Sequence, residues 1–492
     1  MDDNLLVRVY NVGFGDCIFV QVPDKYRDEG GNVREDLRSI LIDLGTNSKW
    51  ALLRKILQED IAPALPIDAQ SNRRLLDLLV VTHPHKDHFN GFDPVWFQDI
   101  KIKRIWLGVF MKADHPQAKK GHALQALADQ AARSLLLRPG IHLGAGMRDL
   151  LINSVYNDDA MSALREHLPQ ASGVYPQYPL YVCRDIAYRL SANERQEYGL
   201  EYEQRTTCHR FSQTSDTRVR VLAPEWDIDR YYVGDKALDC ASLCSTYAVS
   251  GEPRGYQSFL ARYEEGQAQT VEDTDKEKER LPKNISGRDF RRLRERLLYS
   301  ALAFSQADDD LKNNTSVVLL LEWRNRQLLF AADAEWGGGY HEGESNSSWD
   351  VAFKKDAENP EDKRHLSTPV DFLKLGHHGS INGTPWNSGA DAAAEQAFLD
   401  QLVGKPSDQR RAKVVVSTRF GSYGKQKEVP YRELMRQLGL RSSITRDYDP
   451  DEAGEDRVQQ PLRTDKEFPG ALENLEAKCI RVEIHPDPGW AP

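Results

Sequence analysis

Between residues 81 and 93 the chain reads VVTHPHKDHFNGF. His83, His85, Asp87 and His88 fall within six positions, directly after the apolar run LLDLLVV. Imidazole and carboxylate together suit zinc, manganese or iron. The alternation sends His83 and His85 one way and leaves Asp87 and His88 for a second ion. Two more apolar runs end in the same residue types. Asp333 lies in LLFAADAEWGGG, and His377 and His378 lie in LKLGHHGS. Two ions close together need a shared ligand, and a carboxylate can bridge. One of His377 and His378 suffices as a metal ligand, which leaves the other for the surroundings of the site or for substrate. The expected cofactor is one or two divalent transition metals, zinc or manganese. The expected chemistry is hydrolysis by a metal-activated water, with Asp87 as the catalytic residue that holds and orients the water.

These loops need strands to position them. NLLVRVYNV and CIFVQVP read as strands separated by the turn Gly13-Phe14-Gly15-Asp16. SILIDLG is a third strand, ending at Asp43 and Gly45, and SKWALLRKILQ has helical spacing. LLDLLVV is continuous enough to be buried on both faces. From residue 313, NNTSVVLLLEW and RQLLFAADAEWGGG read as strands around an RNR turn. PVDFLKLGHHGS, AKVVVSTRFGS and KCIRVEIHPD supply further strands, and YRELMRQLGL a helix. Two β-rich halves covered by helices predict an α/β fold with two sheets packed face to face. The expected divisions are residues 1–100 and 313–492 as the two halves, with 101–312 an insertion or cap. Within that insertion IKRIWLGVF and TRVRVLAPEW read as strands, and GHALQALADQAARSLLL as an amphipathic helix. EDTDKEKERLPK reads as a solvated segment and RDFRRLRERLLYSALAF as a basic helix.

The chain has 492 residues and a net charge of −10, which does not mark a general polyanion binder. Bound cations and a local basic groove can reverse the field at a site. No apolar run approaches the roughly 20 residues that span a bilayer, so no membrane partner is expected. The N-terminal MDDNLLVRVY lacks a signal-peptide pattern, which makes the cytoplasm the expected compartment. The six cysteines are scattered. Cys208-His209 with Cys240 and Cys244 is a minor alternative zinc site, without the paired spacing of a zinc ribbon.

THPHKDH resembles the signature of metallo-β-lactamase-fold hydrolases. More narrowly, VYNVGFGDCIFV, ILIDLG, VVTHPHKDHFNGF, NNTSVVLLLEW, LLFAADAE and LKLGHHGS resemble, in that order, the hydrolase domain of ComEC-type DNA-uptake competence proteins. The likeness covers roughly residues 5–93 and 313–446, and the membrane channel of those proteins has no counterpart. It implies a soluble relative: an αββα sandwich of the metallo-β-lactamase type with a large insertion and metals at one edge between the sheets. It implies that Asp43 orients the His83/His85 pair. The superfamily often adds a histidine between the first motif and the bridging aspartate. Here His122, His142, His167 and His209 stand in no matching frame. RFGSYGKQKEVP replaces the family's asparagine- and histidine-rich loop. Lys374, Ser380, Asn382 and Arg419, with His378, are the candidate substrate contacts. The resemblance favours a nuclease or phosphodiesterase with nucleic acid as substrate. The alternatives are a hydrolase of a small ester, lactone or cyclic nucleotide, and a non-catalytic binding module on the same fold.

Overall fold

In the computed structural model the apolar run at Leu78–Val81 is a strand buried along its whole length. It lies parallel to Val33–Leu44, with Ile40 opposite Leu78 and Ile42 opposite Val80. On its other side it lies parallel to Ile105–Gly108. A strand flanked by parallel neighbours and covered on both faces has no solvated side, so nothing interrupts its apolar run. The structure describes residues 3–28, 30–47, 49–136, 151, 161, 164–165, 168, 180–184, 208–209, 215–234, 303–352, 369–386, 392–408, 412–420, 429–449 and 457–490.

The protein is a mixed α/β structure with two large mixed sheets. The first has seven strands, in the order Cys479–Ile484, Leu5–Tyr10, Cys17–Arg27, Val33–Leu44, Leu78–Val81, Ile105–Gly108 and Leu180–Val182. Its first four are antiparallel neighbours and the rest pair in parallel. The second has eight strands, running from Thr445–Tyr448 through Val458–Arg463, Lys413–Val416, Phe372–Lys374, Arg326–Phe330, Val318–Trp323 and Thr217–Ala223 to Cys208–His209. Here too an antiparallel group passes into parallel pairs at Arg326–Phe330. In both sheets the parallel strands end in the loops that carry the histidines and aspartates.

Period-two alternation sorts the side chains. Val7, Val9, Ile18, Ile42 and Val80 of the first sheet share one buried cluster with Val219, Leu319, Leu321, Phe330 and Val415 of the second. The two sheets therefore face each other across a common core. Each such side chain, fully buried, contributes about 1.5–3 kcal/mol. The alternate residues Leu320, Leu329, Leu373 and Val414 pack instead with Leu399, Leu402, Leu434 and Met435 of the helices Ala392–Val403 and Arg432–Gly439. Outside the first sheet, Tyr10 Oη donates to Asp60 at 2.7 Å and Gln21 Nε2 to the Ala64 carbonyl at 3.1 Å. These bonds fix the helical segment 50–64, which buries Leu52, Leu53, Ile56 and Leu57.

The chain divides into two compact units, one of residues 1–117, 157–232 and 312–492, the other of 118–156 and 233–311. The first holds both sheets. Strands Ile105–Gly108, Leu180–Val182, Cys208–His209 and Thr217–Ala223 belong to those sheets, although the sequence places them inside an insertion. Runs this short carry no mark of which sheet they join. In the second unit the helix Lys119–Leu136 buries Leu124, Ala128, Ala132 and Leu135, the expected helical spacing. EDTDKEKERLPK, most of the expected basic helix after it, His142, His167, Cys240 and Cys244 lie outside the described residues. Among the described residues no helix is long and apolar enough to cross a membrane.

Candidate metal centre

Asp43, Ala332, His377 and His378 all adopt left-handed backbone, with φ of 55°, 49°, 41° and 52°. Each stands where a strand has just ended or is ending. For a residue with a Cβ this conformation costs roughly 1–2 kcal/mol. It persists where surrounding contacts over-determine it, as at binding and catalytic sites.

The result is a convergence of donors. His88 Nε2 lies 3.2 Å from Asp333 Oδ2. The same oxygen is 3.5 Å from His378 Nε2 and 3.9 Å from His83 Nε2. His378 Nε2 is 3.6 Å from Asp87 Oδ2. The donor atoms of Asp87, His88, Asp333 and His378 all lie within 4.8 Å of one another. Two donors each about 2.1 Å from one ion stand roughly 3–3.4 Å apart, close to the spacings found. His83 Nε2 approaches His85 Nδ1 at 3.1 Å, so these two form a separate pair that Asp333 joins to the first group. His377 stays outside. Its Nδ1 lies 3.1 Å from Glu335 Oε1, an oxygen that accepts from Asn313 Nδ2 at 3.2 Å. Of the remaining described histidines, His122 is on the helix of the second unit and His209 on an edge strand.

The donor set fits a transition metal. Asp333 Oδ1 and His378 Nε2 are buried without a hydrogen-bond partner. A buried polar atom left unmatched costs about 1–3 kcal/mol, and a cation between these atoms would match both. Burial opposes charge on Asp333, yet His88 and His378 outweigh it and hold the carboxyl well below the usual range. Burial, with His88 and His85 nearby, drives His83 well below the ordinary histidine value. Burial opposes charge on His88, but the Asp333 and Asp43 carboxylates outweigh it and hold His88 well above the ordinary histidine value, so a metal bound by His88 Nε2 displaces a proton there.

Asp43 is tied differently from the expectation. Its Oδ2 lies 2.8 Å from His88 Nδ1 and accepts from Thr82 Oγ1 at 2.7 Å, while its Oδ1 accepts from Thr82 N at 2.8 Å. Asp43 thus orients His88 directly and reaches His83 only through Thr82 Oγ1, 3.0 Å from His83 Nδ1. The reason is register. Asp43 is the penultimate residue of the strand parallel to Leu78–Val81, so Thr82 meets its carboxylate before the histidines do.

Asp16 was legible only as the end of a turn, and the structure gives it a larger part. It is fully buried, and its two carboxylate oxygens take Lys374 Nζ and Ser417 Oγ. The Ser417 carbonyl lies 3.1 Å from His378 Nδ1. Asp16 N donates to the Asp87 carbonyl at 3.1 Å. A Cβ at Gly45 would collide with that same carbonyl, so only glycine lets these loops close up. Lys374, expected as a substrate contact, is here a buried counter-ion to Asp16. A lysine inside the apolar strand Phe372–Lys374 was the available signal. Ser380 Oγ donates to Asn382 Oδ1 at 2.8 Å, which closes the turn after the histidines. Arg419 is exposed just beyond Lys413–Val416, beside Gly13.

No protein-family model and no curated protein matches the chain. Its chemistry is therefore read from this geometry.

Proposed function

We propose that the chain is a metal-dependent hydrolase, a nuclease or phosphodiesterase acting on nucleic acid, on an αββα sandwich of the metallo-β-lactamase type. The observation that carries this reading is the convergence of Asp87, His88, Asp333 and His378 from three separate loops, with Asp333 also turned to His83. Zinc or manganese held there supplies Lewis acidity, which brings the pKa of water toward neutrality and stabilises charge on an attacked phosphodiester. Asp87 anchors the attacking water through its carboxylate. Asp43 keeps the proton of His88 on Nδ1 and so leaves Nε2 as a ligand atom. Ser417 does the same for His378 through its carbonyl. Arg419, exposed beyond Lys413–Val416, and the Ser380–Asn382 turn are the candidate contacts for substrate phosphates. Free thiols at Cys17 and Cys479 suit the cytoplasm.

The test is incubation of purified protein with labelled single- and double-stranded DNA and RNA, with manganese, zinc, magnesium or chelator. Cleavage in manganese or zinc that chelator abolishes is the expected result. Absence of polymer cleavage with every metal, beside turnover of a lactone or cyclic nucleotide, would transfer the assignment to small-molecule hydrolysis.

A further inference from the structure

Among the described residues Trp50 is the largest of the exposed apolar side chains, 50% accessible. It is nevertheless held on several sides. Its indole Nε1 donates to the Asn90 carbonyl at 2.9 Å. Its ring packs on the buried Trp96, with centroids 4.4 Å apart and planes tilted by 48°. Asn90 is itself clamped to Thr46, accepting from its N–H at 3.1 Å and donating to its carbonyl. Asn90 N donates to the Lys86 carbonyl at 3.0 Å, closing the short helix that carries Asp87 and His88. The exposed indole is thus fastened to the turn that supplies two of the four metal donors.

An indole left half in water and fixed by polar contacts is a surface prepared for another flat apolar group. The surroundings argue against a broad protein contact. Asn47, three residues before it, is exposed and polar, and Lys49 and Lys86 bring positive charge to the same loops, while Val95 is exposed next to Trp96 and Asp93 caps that turn with its carboxylate. A flat group that travels with negative charge fits this setting. From these contacts we infer that Trp50 is a stacking platform for an unpaired nucleobase, placed so that the strand's phosphates run toward Asp87 and His88. This rests on the hydrolase reading and narrows its substrate to single-stranded nucleic acid, because bases in a duplex already stack on one another. Stacking of this kind is sequence-tolerant, since every base has a π-face.

The experiment compares wild type, Trp50→Ala and Trp50→Phe on a labelled single-stranded oligonucleotide, on its duplex, and on the same strand carrying abasic sites. Metal content is measured on each protein. Trp50→Ala is expected to raise KM on the intact strand by roughly 5- to 150-fold, the range that loss of base stacking gives. The effect should shrink on the abasic strand, Trp50→Phe should recover most of it, and metal content should stay at the wild-type level. An unchanged KM for Trp50→Ala, while wild type cleaves the strand, overturns the platform and leaves the hydrolase standing. An equal loss on intact and abasic strands also overturns it, as does a change in self-association in place of KM. If wild type cleaves no nucleic acid with any metal, the hydrolase reading fails first and the platform with it.

Discussion

Asp43 Oδ2 and His88 Nδ1 stand 2.8 Å apart, both side chains wholly buried. That single contact fixes which nitrogen of His88 faces Asp333, and hence whether the turn bearing Asp87 and His88 can present a ligand at all. Replacement of Asp43 by alanine leaves the imidazole free to turn and removes the acceptor for Thr82. Loss of such an orienting carboxylate typically lowers metal affinity 10- to 100-fold. Titration calorimetry with manganese or zinc should find a drop in that range, and an unchanged affinity would mean that His88 needs no partner.

Asp333 belongs to both donor groups, whereas His85 belongs to one. Elemental analysis of wild type should find between about one and two transition-metal ions per chain. Asp333→Ala should lose metal from both groups, and His85→Ala only the share held with His83. Equal losses for the two variants would contradict the sharing of Asp333. Both proteins should remain folded by circular dichroism, because the donors stand at strand ends and not in the apolar core.

Lys374 and Asp16 form a buried ion pair, with side chains at most 1% exposed. Removing either partner strands a charge in the core and is expected to cost about 3–5 kcal/mol. The double variant Asp16→Asn, Lys374→Met should cost clearly less than the two single losses added together. Urea unfolding of the three variants measures this. Simple additivity would show that the two groups do not depend on each other.

Gly45 lets the Asp87 carbonyl approach its backbone. Gly45→Ala should push the turn outward, lowering metal affinity more than a surface glycine substitution such as Gly470→Ala, measured by the same titration.

What could be read from the sequence followed local pattern. The stretch Leu78–Val81 shows its double burial because every residue in it is apolar, while Asp77 splits it from Arg74–Leu76, which pairs in a separate two-stranded sheet; HxHxDH shows its donors because they are neighbours. The buried network was hidden for the opposite reason. Asp16 and Lys374 are 358 residues apart, and no spacing rule connects a turn aspartate to a lysine in a distant strand. The choice between His377 and His378 turns on two consecutive left-handed residues, which adjacent identical side chains do not reveal. Asp43 was visible as a partner for histidine, but which histidine depended on the parallel register with Leu78–Val81. The strand Leu180–Val182 spans only three residues, too few for a period to show.

The most direct test of the metal centre is an anomalous difference map from crystals grown with manganese. The donor geometry predicts a peak enclosed by Asp87 Oδ2, His88 Nε2, Asp333 Oδ2 and His378 Nε2, with any second peak beside His83 and His85. Strong density elsewhere, or an empty cluster at saturating manganese and again at saturating zinc, would contradict it.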